Sequence, residues 1–240
     1  MAYGSDMRDV PWWGVVSAAL APVLMVGGWT VAASLQPQVE QYDPVADTVS
    51  ALAAPGATDR WVMTLTFLLV GACYIVTALA LRPARTTGRL ILIAGALGGM
   101  LVAANPEHAG QAYPVPHIIA ASIGFAGVAT WPGGAWRRGS AVPWALRPVA
   151  AAAAVAALLA PIAWFGAELI LGAGQAGLAE RVAGAAQAIW PLTVVLSCLA
   201  ASRLRPVPVP EEAAARLSGP GPRRPGRPPG HRARCRPRPG

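Results

Sequence analysis

The sequence predicts an all-α membrane protein: a six-helix transmembrane bundle with a disordered cytoplasmic tail. Three observations predict it. Of 240 residues, 55% are hydrophobic and only 12% charged, against about 45–50% and about 25% in soluble domains, and the mean hydropathy is +0.46. The apolar residues are gathered into six long runs separated by short polar connections. The charge is also divided: of the net +8, ten arginines and two glutamates in residues 203–240 account for all of it, while residues 1–202 balance nine arginines against nine acids. Every basic residue is Arg and none is Lys. With abundant Ala, Gly and Pro, that is the habit of a GC-rich bacterial genome.

Four runs, Trp12–Leu35, Trp61–Leu81, Val149–Leu171 and Val182–Ser202, hold about 20 residues or more. At 1.5 Å per residue, each covers the roughly 30 Å of a bilayer's hydrocarbon. Two others, Leu90–Ala104 and His117–Trp131, reach only about 15 residues when cut at the nearest polar residue. Extended to Gly88–Glu107 and Tyr113–Pro132 they are long enough to span, and Asn105 and His117 then enter the outer part of the membrane. A backbone in lipid must satisfy its own hydrogen bonds, so all six are helices. The first run is too long for the core of a cleaved signal peptide and only Arg8 precedes it, so it is expected to remain as a span. The chain divides into a short cytoplasmic N-terminus (1–11), the six-span domain (12–202) and an Arg/Pro/Gly-rich cytoplasmic tail (203–240).

Six spans place both termini on one side. That side receives Arg8, Arg82, Arg85, Arg89, Arg137, Arg138, Arg147 and the tail, against Arg60 and Arg181 on the other. The positive-inside bias makes both termini cytoplasmic in a bacterial plasma membrane. Trp12, Trp13, Trp61, Trp131, Trp136 and Trp144 fall at span ends, where indole rings anchor at headgroups. Cys73 and Cys198 lie in apolar runs and Cys235 in the tail, so no disulfide framework is expected and the first two read as small apolar fillers.

The polar residues that could carry function gather on the outer side. In the connection Gln36–Arg60, Asp43-Pro44 reads as an N-cap with proline at the first helical position. Val45, Val49 and Leu52 then recur at helical spacing, which predicts a short surface helix carrying Asp47 and Ser50 on one face. These two either cap and decorate that helix or line the mouth of a cavity. The second outer connection holds Glu107, His108 and His117. The nine-residue separation of the histidines fits no standard metal spacing. An ionisable group drawn below the headgroups, as His117 would be, faces a bundle interior or a neighbouring helix. Glu168, about one turn inside its span, needs a partner, for which His117, Arg181 and Gln187 are the candidates. Glu180 and Gln187 share a helix face seven residues apart, and Arg181 neutralises Glu180 or Glu168 or snorkels. On the cytoplasmic halves, Gly95 and Gly99 form a GxxxG that reads as close helix packing. There is no phosphate loop, HExxH or GxSxG, and no cofactor or metal site is assigned.

The tail holds ten Pro, five Gly and ten Arg in 38 residues. It cannot bury a core, and its charge is drawn to anionic lipid headgroups rather than to nucleic acid.

Three stretches carry a family resemblance: Tyr42-Asp-Pro-Val-Ala-Asp-Thr-Val-Ser-Ala-Leu52; Asn105-Pro-Glu-His108 with His117-Ile-Ile-Ala-Ala; and Gly177-Leu-Ala-Glu-Arg181 followed by Ile189-Trp-Pro191. In this order around six spans, they resemble the bacterial and archaeal family known as domain of unknown function 998, itself considered similar to the Frag/DRAM/Sfk group. The likeness covers roughly residues 11–202 and implies an integral plasma-membrane protein, with no established activity to transfer. The function expected is therefore a non-enzymatic membrane protein whose outward-facing polar cavity binds membrane lipid or a small ligand. The alternatives are an intramembrane lipid hydrolase or transferase using a carboxylate–histidine site, with or without a metal, and a small transporter.

Overall fold

A computed structural model describes residues 10–37, 42–108 and 114–204. The tail expected to be disordered lies outside the described residues beyond 204. Six helices are each long and apolar enough to cross a membrane: α1 (Trp12–Ser34), α2 (Trp61–Ala80), α3 (Thr86–Ala104), α4 (Val115–Ala135), α5 (Pro148–Leu171) and α6 (Ala176–Arg203). The described residues form no strand. This is a multi-pass membrane protein.

The helices pack in chain order and the last returns to the first, so α1 touches both α2 and α6 and the six close into a ring. Interior prolines at 22, 132, 161 and 191 interrupt none of α1, α4, α5 or α6, as spans tolerate where neighbouring helices cover the freed carbonyls.

The two short runs gain their length differently from the sequence expectation. α3 starts at Thr86 and ends at Ala104, leaving Asn105 and Glu107 beyond the helix. α4 starts at Val115 and runs through Pro132 to Ala135. Both helices lengthen mainly at the end bearing Arg85 and Arg137, α3 by Thr86-Thr87-Gly88-Arg89 and α4 by Pro132-Gly133-Gly134-Ala135. α6 begins six residues before the apolar run and takes Glu180 and Arg181 onto its first turns.

Small residues set the closest approaches. A Cβ on Gly14 would fall 2.2 Å from Ala80, and one on Gly28 would meet Thr66; Ser17 Oγ and Thr77 Oγ1 share a hydrogen bond of 2.9 Å along the same α1–α2 seam. Between α3 and α4 the contacting glycines are Gly88, Gly95 and Gly98, opposite Ala135, Gly127 with Val128, and Gly124. Gly99 also lies close to α4, its nitrogen 3.1 Å from the ideal Cβ position of Gly124, although a Cβ on Gly99 itself would point into open space. Trp131 is not an interfacial anchor. It is fully buried in the main apolar cluster, whereas Trp12, Trp61 and Trp144 are exposed.

α5 is the peripheral member of the ring. Only Ala151, Ala154 and Leu158 of its 24 residues are buried, against twelve of the 28 in α6. Cys198 is buried and Cys73 half-buried, both as free thiols.

Candidate functional site

The polar side chains converge at the end of the bundle holding the α1–α2, α3–α4 and α5–α6 connections. Residues 42–53 do not form the continuous surface helix that their spacing predicts. They make one helical turn and then a 3₁₀ turn, Ser50–Ala53. In the first turn Asp43 Oδ1 accepts the Val45 N–H at 2.8 Å, Asp47 Oδ2 accepts the Asp43 N–H at 2.8 Å, and the Asp47 N–H reaches the Asp43 carbonyl at 2.7 Å. Both aspartates therefore hold this turn together.

The helix stops because α6 takes its carbonyls. The N–H groups of Gly177 and Leu178, which begin α6 without helical partners, donate to Ala46 O at 3.2 Å and Val45 O at 2.9 Å. Arg181 Nη1 donates to Pro44 O (2.6 Å), Asp47 O (3.2 Å) and its own Gly177 O (3.0 Å), and Nη2 donates to Tyr42 Oη. The Tyr42 hydroxyl donates to Thr48 O at 3.0 Å. Burial pushes the Tyr42 phenol up to about 12, with the Arg181 guanidinium opposing the shift. At Gly177 any side chain would collide with the Asp47 carbonyl, 2.0 Å from the ideal Cβ position. Arg181 is thus a clamp on backbone carbonyls that also attracts the neighbouring Glu180 carboxylate, and Glu168 has other partners.

Glu180, 6% exposed, accepts the Val49 N–H at 2.6 Å and the Ser50 hydroxyl at 3.3 Å. Val49 and Leu52 are buried with Ala32, Ala53 and Met63, while Val45 is exposed. The segment lies across the bundle end, anchored by polar bonds to α6 and apolar contacts to α1 and α2.

A second junction ties the same segment to the α3–α4 connection. Thr48 Oγ1 donates to Glu107 Oε1 at 3.0 Å, and Glu107 Oε2 lies 3.9 Å from His117 Nε2. His117 is buried in the first turn of α4, and its Nδ1 lies 2.8 Å from the Asn105 carbonyl. A carbonyl only accepts, so Nδ1 carries a proton. Burial raises the Glu107 carboxyl above its ordinary value; the Thr48 hydroxyl and His117 counteract this, and Asp47 adds to it. Glu107 Oε2 is buried without a hydrogen bond. The Thr48 hydroxyl points its proton at the carboxylate, so this threonine is not wired to His117 as an activated nucleophile.

Inside the ring, beneath residues 49–50, is a cavity bordered by α1, α2, α3, α4 and α6. Its volume is about 80 Å³ with one side open, well below the range of about 300–1,000 Å³ common for drug-sized ligand sites. The walls are apolar, with the rings of Trp29, Phe67, Tyr74 and Phe125 and the bare backbone of Gly99. The polar border is Ser50, Glu180 and Gln187. Gln187 Nε2 donates to the Phe125 carbonyl at 3.1 Å, linking α6 to α4 across the ring. The cavity reaches Tyr74, roughly 20 Å along α2 from Trp61 at helical rise.

Of the ten residues singled out in the sequence, Ser50, Glu180 and Gln187 border this cavity. Asp43, Asp47 and Arg181 build the segment above it, and Glu107 and His117 brace that segment. His108 is exposed. Glu168 does not join the others: its oxygens accept Trp164 Nε1–H at 3.1 Å and the Gln175 N–H at 2.9 Å, which fastens the α5–α6 turn. Sequence reasoning missed Thr48, the link between the two junctions, and Tyr42, which entered only as part of a longer motif. The Asp-Thr-Val-Ser run held the signal, since a buried Thr three residues before a 3₁₀ N–H accepts a local bond, here from Ala51 at 3.1 Å. Among the described residues, no three His, Cys, Asp or Glu side chains group as a metal site.

Residues 19–197 match a family described as a protein of unknown function, DUF998. The chain belongs to the DUF998 family. That match takes in every residue of both junctions and the cavity, and ends before the arginine-rich tail. This DUF998 protein matches no curated protein and no solved structure.

Proposed function

We propose that this DUF998 protein is a ligand-binding plasma-membrane protein that holds a lipid or other apolar molecule in the cavity of its helix ring. Residues 42–53 form the cover. The carrying observation is that one partly open cavity of about 80 Å³ combines apolar walls with a polar border of Ser50, Glu180 and Gln187, the composition of a site that takes a small molecule or one part of an amphiphile and orients it by its polar end. The reading is binding rather than catalysis, because Thr48, Glu107 and His117 serve to brace the cover. Arginine-rich connections on the opposite end support a topology with both termini in the cytoplasm and the cover facing outward. On that topology the tail rests against anionic headgroups, each arginine near the surface contributing about 1 kcal/mol.

The test is native mass spectrometry of protein extracted from its own membranes in neutral detergent. A bound apolar molecule at about one per chain is expected, and Gly99→Leu, which fills the open space beside Gly99, should remove it. Retention of the same adduct in Gly99→Leu protein would place the ligand outside the ring and overturn the proposal.

A further inference from the structure

The end of the bundle opposite the cover has a binding surface of its own. Every acidic side chain among the described residues belongs to the cover end, so no described carboxylate neutralises the arginines at the other. Three of them settle on backbone carbonyls: Arg89 on Ala78 and Leu79, Arg137 on Ala84, and Arg147 on Val142. Arg85 and Arg138 do not. Among the described residues their guanidinium groups make no hydrogen bond or ion pair, and both rest on one indole, each 5.3 Å from the centre of the Trp136 ring.

The two arginines come from different connections, α2–α3 and α4–α5. The Arg85 N–H joins these by donating to Ala135 O at 3.1 Å, and Arg137 Nη2 by donating to Ala84 O at 3.3 Å. The fold thus assembles two like charges no further apart than twice their distance from the shared ring. The indole face offsets part of their repulsion. An anion that accepts N–H donors from both planar forks offsets the rest, and phosphate oxygens suit that geometry.

The flank of the same surface is apolar. α3 leads away from Arg85 with Leu90, Ala94, Leu97 and Leu101 exposed at spacings of one helix face. Trp12 and Trp144, exposed at this end, mark the depth at which indoles meet headgroups. A free phosphate would use the arginines alone. A phospholipid uses both parts, its phosphate on the guanidinium groups and an acyl chain along the helix, as basic recesses between membrane helices do.

We infer that Arg85, Trp136 and Arg138 form a headgroup site for an anionic phospholipid, whose acyl chain lies along the exposed stripe of α3. This site is separate from the ring cavity, and neither depends on the other.

The test is a titration of the delipidated full chain in dodecyl maltoside with phosphatidylglycerol, read by native mass spectrometry. Ionic strength is held at about 0.15 M, which screens diffuse attraction beyond about 8 Å. Saturable binding is expected, at least about tenfold tighter than that of phosphatidylcholine with the same chains or of chainless glycerol 3-phosphate. Arg85→Gln with Arg138→Gln leaves both bonds between the connections in place and should weaken the lipid at least about tenfold. Arg147→Gln with Arg203→Gln removes the same charge from the same end and should weaken it by less than about threefold. Trp136→Leu keeps both charges without their platform and should weaken binding several-fold, which decides the matter if the double variant fails to fold. Gly99→Leu, which alters only the ring cavity, should bind phosphatidylglycerol as the wild type does. Equal losses in the two double variants would overturn the site and leave a diffuse field in its place. Glycerol 3-phosphate or phosphatidylcholine binding as tightly as phosphatidylglycerol, or no saturable lipid binding, would overturn it too. Loss of phosphatidylglycerol in Gly99→Leu would move the lipid into the ring, overturning this site while upholding the cavity.

Discussion

The two ends of the bundle solve the same problem, how to finish six helices, by different means. At the arginine end the connections are tied by separate single contacts: the Arg85 N–H donates to Ala135 O at 3.1 Å, Arg137 Nη2 to Ala84 O at 3.3 Å and the Ala145 N–H to Ser197 Oγ at 3.1 Å. Arg89 caps α2 through the carbonyls of Ala78 and Leu79 at 2.6 and 3.1 Å, the Arg137 N–H donates to Leu146 O, and Arg85 and Arg138 each lie 5.3 Å from the centre of the Trp136 ring. At the acidic end one folded segment closes the ring, with its carbonyls satisfying α6 and its Thr48 reaching the α3–α4 connection. Separate contacts of this kind each join two parts of the chain at a time. A cover shared by distant parts of the chain needs all of them in place, which is how an end becomes able to hold a cavity shut.

The sharpest way to break this contrast is to remove each end's principal arginine. Arg181→Met loses the bonds to Pro44, Asp47, Gly177 and Tyr42 and leaves carbonyls unsatisfied under the cover. It is expected to cost about 3 kcal/mol. Arg89→Met loses only the exposed end of α2 and should cost about 1 kcal/mol. Thermal unfolding in detergent measures both, and equal losses would erase the distinction between the ends.

Next in size is a pair of adjacent glycines. Gly98→Ala drives a Cβ to 2.5 Å from the Gly124 nitrogen, while at Gly99 it meets nothing within 4 Å. The first should destabilise by about 1–3 kcal/mol and the second by about 0.5 kcal/mol or less. The same melts check this, and a reversed order would mean that α3 is rotated about its axis.

A smaller effect depends on pH. Glu107 holds its proton to higher pH when folded than its ordinary 4.5. That contribution is fully present below the ordinary value and is lost as pH rises through the raised one. The melting temperature should therefore decline with pH above about 4.5, and Glu107→Gln should flatten the decline. An unchanged slope in the variant would assign the dependence to other groups. Smallest is Trp136→Leu, which removes stacking by two exposed arginines and should cost about 0.5–1 kcal/mol. A larger loss would show that the arginine end is held by more than separate contacts.

The sequence makes the six spans legible because lipid leaves a long apolar run no alternative to a helix. Their ends were harder. Val182 looked like the start of the last span because Glu180 and Arg181 read as polar boundary residues, whereas both sit on α6 with their polarity absorbed by residues 42–50. Val45, Val49 and Leu52 have helical spacing, but spacing carries no information about a neighbour that will claim the carbonyls between them. Gly95 and Gly99 reveal a small-residue face; that Gly98 also meets α4, and that only Gly99 has space for a Cβ, depends on helix rotation, which the motif does not encode. The polar residues near the site were recognisable by type and by end. Their division into cover, brace and cavity border required coordinates, since Glu168 and Glu180 look alike in sequence and only one borders the cavity.

The carbonyls that complete α6 belong to Val45 and Ala46, so the first loop supplies the socket into which the sixth helix starts. Synthesis runs from the N-terminus, and that socket emerges from the ribosome long before the helix that fills it. Until residue 176 arrives, those two carbonyls lack the N–H groups of Gly177 and Leu178, and the helix that touches both α1 and α5 is missing. The sixth helix is the keystone, and its seating turns a string of inserted segments into a closed vessel.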